Sequence, residues 1–326
     1  MDERRSDYDV TDTVRTTDPE SVGTEVQRLY REVYQAEASA VLTQSFRDVA
    51  RLFRGEYPGH QPCDTDYHDL QHTLDVTLAM SRLMAGYEQA RRGATHLDAR
   101  LFELGVITAL FHDCGYIRRE GEEDISTGAA FTKVHVSRGG EFLRHYLHDI
   151  GRDGDAPLAA QLIHFTGYEV PVQDIAVAEP AHRLLGNLLG SADIIAQMSD
   201  RCYLEKVRDR LYDEFVEGGI ARQRQPNGAH QVLFASPEDL VFKTPAFYAT
   251  ALKRLEQMLG GVHAFAEAHF GGQNLYVEEV ERNVRYATKV AEHRDASMLR
   301  RHPPAPNHRD EGAEAVPAEA TGSGRR

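Results

Sequence analysis

Cysteine is scarce in this 326-residue chain: Cys63, Cys114 and Cys202 stand far apart, and no two share a CxxC spacing. That argues against a disulfide framework or a thiolate zinc site and fits a reducing cytoplasm. Long apolar runs are missing as well. Nothing reaches the roughly 18 consecutive apolar residues that suggest a membrane span, and the N-terminal MDERRSDYDVTDTVRTTDPE has charge but no apolar export segment. The expected location is therefore cytoplasmic, with no membrane partner. Positive charge is in short supply too, with 37 Lys and Arg against 51 Asp and Glu and a formal net charge of -14. A nucleic-acid backbone would be repelled on average, because phosphate binding needs a basic face, so no nucleic-acid partner is expected. Small charged substrates stay compatible. Alternating strand patterns are nearly absent, and QVLFA at 231–235 is the one short apolar run suited to a strand.

What is there is helical. With 41% hydrophobic residues the chain can fill a sizeable core. Val26, Leu29, Tyr30, Val33, Tyr34 and Ala38 recur at three and four and predict a first long helix, extended through Val49, Leu52 and Phe53. Similar periods predict helices near 68–92, 98–113, 135–148, 156–166, 179–199, 201–216, 238–258 and 274–294, most of them separated by glycine or proline. The expected fold is all-α, an irregular helical bundle forming one domain over 21–296. The polar, aperiodic residues 1–20 and the Pro-, Ala-, Gly- and charge-rich residues 297–326 read as disordered tails.

Sixteen histidines invite a search for metal ligands, and position does the sorting. His68 and His72, in DYHDLQHTLDV, are four apart and project from one helix face. His112 and Asp113 end the apolar run LGVITALFHDCGY, which would deliver both side chains to an interior cleft. His148 and Asp149 form the same dipeptide in the charged stretch RHYLHDIGRDGDAP, which reads as a solvated helix end. Downstream, His135, His164 and Asp193 are polar residues set in apolar helical surroundings. A buried Asp193 needs a cation or an arginine to offset its desolvation.

The order His72, His112-Asp113, His135, His164, Asp193 resembles the HD-domain metal-dependent phosphohydrolase superfamily, over roughly residues 66–200. The two intervening histidines are similar to those of binuclear members such as the HD-GYP phosphodiesterases and the diiron inositol oxygenases. YHDLQHTLDV also resembles the YHNxxH segment of class I cyclic nucleotide phosphodiesterases, which implies His68 as general acid and His72 as ligand. Asp69 stands where those enzymes carry Asn, and their purine-clamping glutamine with its following Gly-Phe is missing. Tyr116 occupies the place of the HD-GYP lysine, and the GYP segment is absent.

On this basis the expected cofactors are two divalent ions (Fe, Mn, Zn or Mg), since imidazoles and carboxylates without thiolates do not choose among them. Asp113 would bridge the pair, His72, His112 and Asp193 would hold one ion, and His135 and His164 would complete the other. His68, one turn from a ligand, would protonate the leaving group. The expected substrate is a small phosphorylated molecule, a phosphodiester or nucleotide, with Lys133, Arg138 and Arg118 as candidates for binding its charge. Two other readings share this ligand frame: a diiron oxygenase, marked by redox-active iron and oxygen consumption, and a module that senses a nucleotide without turning it over.

Overall fold

The computed structural model describes residues 4–90, 95–224, 228 and 230–306. Its architecture is an irregular all-α bundle organised around one helix, α3 (Leu70–Ala90). From Leu70 to Gly86 every residue but Asp75 is buried, so this helix is covered on all sides and sits in the middle. It packs against α1 (Pro19–Tyr34), α4 (Ala99–Leu110), α7 (Pro180–Ser199) and α11 (Phe265–His269). Around them lie α2 (Ala40–Phe53), α5 (His135–Asp149), α6 (Ala156–Leu162), α10 (Pro237–Gln257) and α12 (Leu275–His293). No helix among the described residues is long and apolar enough to cross a membrane.

The single first helix expected from periodicity is two. Gln35 closes α1 in the left-handed region at φ 50°, and the Ser39 side chain caps α2 by accepting from the Leu42 backbone N–H. Both helices bury apolar stripes, so their periods read as one across the break. The helix expected over 201–216 is interrupted as well. It runs as α8 (Tyr203–Lys206), a π-helical turn at Val207–Leu211 and α9 (Tyr212–Glu217). The expected strand is only half present: β2 (His230–Val232) pairs antiparallel with β1 (Arg222–Arg224), while the backbone N–H groups of Leu233 and Phe234 turn to the Ala221 carbonyl.

Both expected tails need correction. Residues 4–18 are folded, because buried Asp9 accepts from the backbone N–H groups of Thr13 and Val14 and from the Arg82 guanidinium at 2.6 Å. One buried ion pair supplies the order that apolar periodicity did not advertise. At the other end, the Arg301 backbone N–H bonds to Glu205, the Tyr286 hydroxyl donates to the Met298 carbonyl, and Leu299 is buried, so residues 297–306 pack onto the bundle. Residues 307–326 lie outside the described residues.

α7 packs closely against the turn that follows α6. A Cβ on Gly190 would come within 2.5 Å of the Phe165 carbonyl oxygen, so only glycine lets the turn after α6 sit against this helix. Three residues on, Asp193 looks toward α3.

Candidate metal centre

Four side chains from three elements converge. His72 lies in the first turn of α3, and Asp69 caps that turn by accepting the His72 backbone N–H at 2.9 Å. The residue that departs from the phosphodiesterase pattern thus works as a helix cap. The helix expected over 98–113 stops at Leu110, and His112 and Asp113 lie in the turn that follows, ahead of a 3-10 turn at Cys114–Tyr116. Asp193 comes from α7.

His72 Nε2 lies 3.3 Å from Asp113 Oδ2 and 3.5 Å from Asp193 Oδ1. His112 Nε2 lies 3.0 Å from Asp113 Oδ2 and 3.9 Å from Asp193 Oδ1. His72, His112 and Asp113 are all buried, with ligand atoms within 4.8 Å of one another. The His112 ring is oriented by its Nδ1, 2.8 Å from the Ala109 carbonyl, which fixes the proton there and leaves Nε2 as a lone pair. Although His112 Nε2 and Asp113 Oδ2 are neighbours, neither has a hydrogen-bond partner. With the ring neutral these are two acceptors buried face to face, the donor set that a divalent cation takes; without a cation, a proton on His112 stands between them.

Without a cation the same pair gathers a proton. Burial alone would lower the His112 pKa, but the carboxylates of Asp113 and Asp193 overcome it and push it up to about 9. Burial would raise Asp113, yet the imidazoles of His112, His72 and His68 hold it well below the usual carboxylate range. The group is built to surround positive charge.

His135 opens α5 and reaches the other oxygen of the same carboxylate, with Nε2 3.7 Å from Asp113 Oδ1. Its Nδ1 lies 2.8 Å from the Thr132 carbonyl, the same anchoring as at His112. Gly115 makes this approach possible, since a Cβ there would fall 1.8 Å from the His135 carbonyl oxygen. His164 is not brought to the group. It sits in the 3-10 turn Ile163–Phe165 after α6, short of the helix expected to 166, and the charges acting on it are Glu169 and Arg144.

His68 stands beside the cluster. Its Nδ1 lies 2.5 Å from Glu214 Oε2 on α9, and Glu214 Oε1 also accepts the Tyr67 backbone N–H at 2.6 Å. Desolvation would lower the His68 pKa, but Glu214, then Asp113 and Asp193, raise it. The ring stacks on Tyr116 at 4.3 Å, and Tyr116 stacks on His135 at 4.4 Å, so the tyrosine spaces the two imidazoles. Sequence reasoning left Glu214 among the helices after 200. The signal was an acid on the stripe Tyr203, Val207, Leu211, Phe215, which otherwise reads as core.

Of the three basic residues expected to bind substrate, one is available. Lys133 lines the cavity next to the cluster and has no ion-pair or hydrogen-bond partner among the described residues. Arg138 is consumed by structure: both its terminal nitrogens lie 2.9 Å from Glu122, its Nε donates to the Gly115 carbonyl, and it covers the Phe131 ring. Arg118 is paired with Asp64 at 2.8 Å and donates to the Ile125 carbonyl. Neither arginine lines the cavity, which measures about 770 Å³ and reaches His68, His72, Asp113, His135 and Asp193. Cys114 is buried, which pushes its thiol well above the usual range and leaves it no nucleophilic part.

A family model described as Npun_R2479-like matches residues 58–281, a span that includes all of these ligand positions. No curated protein and no solved structure matches the chain.

Proposed function

This chain belongs to the Npun_R2479-like family, and we propose that it is a metal-dependent phosphohydrolase of the HD type, cleaving a phosphoester with a histidine as proton donor. The observation that carries this reading is the meeting of His72, His112, Asp113 and Asp193 around two buried atoms without hydrogen-bond partners. These four residues would hold the first ion. When bound, a divalent ion would supply Lewis-acid polarisation of water and of the phosphoryl oxygens. A second ion would draw on Asp113 Oδ1 and His135, a poorer set, because His164 stays apart.

The chain's own side chains account for the rest. Lys133 offers a free ammonium to the phosphate charge. His68, held through Nδ1 by Glu214, has Nε2 left for the leaving oxygen. In the hydrolysis the P–O bond to the alcohol breaks, the departing oxygen takes the His68 proton, and a water oxygen bonds to phosphorus. The proton shed by that water restores the imidazolium, so the site returns to its starting state.

Metal analysis of the purified protein followed by a phosphoester screen tests the reading. The expected outcome is a bound divalent ion and hydrolysis that both vanish in His112→Ala. A His112→Ala protein with undiminished hydrolysis contradicts it.

A further inference from the structure

The cavity beside the cluster is far larger than a phosphate group, and its walls say what fills the remainder. A cavity of about 770 Å³ has the volume of a site for a drug-sized ligand. Val207, Leu211 and Phe215 from the segment that also carries Glu214, with Phe234, Leu240 and Phe247, line the wall away from the metal ligands.

Most of the polar residues lining it have their donors turned away. Thr132, Thr166, Thr244 and Thr250 donate their hydroxyls to the carbonyls of Ala129, Ile163, Leu240 and Ala246, at 2.7 to 3.1 Å. Each therefore spends its one hydroxyl proton on backbone and can only accept from a ligand. Glu169 caps α5 by accepting from the Val136 and Ser137 backbone N–H groups. Lys243 is held by Asp239 and the Leu233 carbonyl. The Tyr67 hydroxyl donates to Gln197. Away from the metal ligands, the donors left are the Gln197 amide, the Lys133 ammonium and the hydroxyls of Tyr168 and Tyr203. A nucleobase and ribose would bury ring nitrogens, exocyclic groups and hydroxyls against a surface with few partners, each unpaired group costing binding.

The mouth repeats the theme. Tyr168 and Phe247 line the cavity and are 72% and 36% exposed. Scattered exposed hydrophobics need no explanation, but these two line the cavity and reach solvent, where a ligand's hydrocarbon part would cover them.

We infer that the substrate is a phosphoester of a bulky apolar alcohol, aliphatic or aryl, whose phosphate meets the His–Asp cluster and Lys133 while its hydrocarbon part fills the cavity. This deepens the hydrolase reading and rests on it for turnover, though not for binding. Full burial of each added methylene strengthens binding by up to roughly fourfold.

The test uses metal-loaded protein and p-nitrophenyl phosphodiesters whose second ester group is methyl, butyl, octyl or thymidine, all below micelle-forming concentrations. Binding of methyl-, butyl- and octylphosphonate is measured in parallel by calorimetry. The expected result is a KM that falls at least about tenfold from butyl to octyl, a matching gain among the phosphonates, and a thymidine ester no better than the methyl ester. Phe247→Asp is expected to flatten both series, with retained metal showing that the fold survives. Cleavage without chain-length dependence, or with the thymidine ester preferred, overturns the inference and leaves the hydrolase reading standing. Chain-length-dependent phosphonate binding with no cleavage of any ester supports the cavity assignment and overturns the hydrolase reading.

Discussion

Glu214 Oε2 lies 2.5 Å from His68 Nδ1, joining residues 146 positions apart in the chain. The contact orients the imidazole, supports its positive charge and ties the second half of the bundle to the candidate centre. Glu214→Gln keeps the shape but removes the charge. It should lower kcat by roughly 10- to 100-fold with KM little changed, and His68→Ala by about 10²- to 10⁴-fold. Because the two act as a unit, the double variant should be no worse than His68→Ala. Steady-state kinetics on the three proteins, with metal content as control, checks this; additive losses would separate Glu214 from His68.

Gly115 is the position where local backbone governs the site. Gly115→Ala puts a Cβ into the space of the His135 carbonyl oxygen, 1.8 Å away, so α5 has to move off the turn that carries Asp113. The expected outcome is a loss of about 1–3 kcal/mol of stability from overpacking, together with weaker metal binding. Thermal unfolding and metal titration check it, and wild-type behaviour in both would mean the turn is looser than drawn.

The N-terminal segment should be structural. Asp9 and Arg82 are almost fully buried and 2.6 Å apart, so Asp9→Ala leaves an uncompensated guanidinium between α3 and α12. A cost of about 3–5 kcal/mol is expected. Denaturant unfolding measures it. Stability equal to the parent would put the N-terminal residues back among the dispensable ones.

A pH effect follows from a carboxylate that lies away from the metal ligands. Asp75 is half-buried on α3; the desolvation this brings, and then the neighbouring Asp200, push its pKa up to about 8, while Lys206, Thr16 and Arg4 act in the opposite direction. A folded-state pKa above the unfolded value means that the folded form binds the proton more tightly. This contribution is fully present below the ordinary carboxylate range and is lost as pH rises toward 8. Asp75→Asn removes the titration, so its Tm relative to wild type should climb between about pH 5 and pH 8. A pH-independent difference would contradict the assignment.

Much of this was legible beforehand because helical periodicity and ligand spacing are local. His72 one turn into a helix, His112-Asp113 at the end of an apolar run and Asp193 in α7 could be read from the chain, and the structure brings the four together. What failed to read depended on pairings between distant residues. Arg118 and Arg138 looked available for substrate, but their commitment to Asp64 and Glu122 is visible only in three dimensions. Glu214 hid among the many charged residues of 201–216 for the same reason. His164 had the right residue type and neighbourhood, yet the helix ends at Leu162 and the turn that follows leaves it beside Glu169 and Arg144. The folded N-terminus hid behind polar composition, because its order comes from Asp9 and not from an apolar stripe.

The most direct measurement is metal stoichiometry and affinity, by elemental analysis and calorimetry, for wild type, Asp193→Asn and His164→Ala. The four-residue centre predicts a bound divalent ion in wild type, strongly weakened in Asp193→Asn and retained in His164→Ala. A wild-type protein that takes up no divalent ion, or an Asp193→Asn protein that binds it as tightly as the parent, would contradict the account.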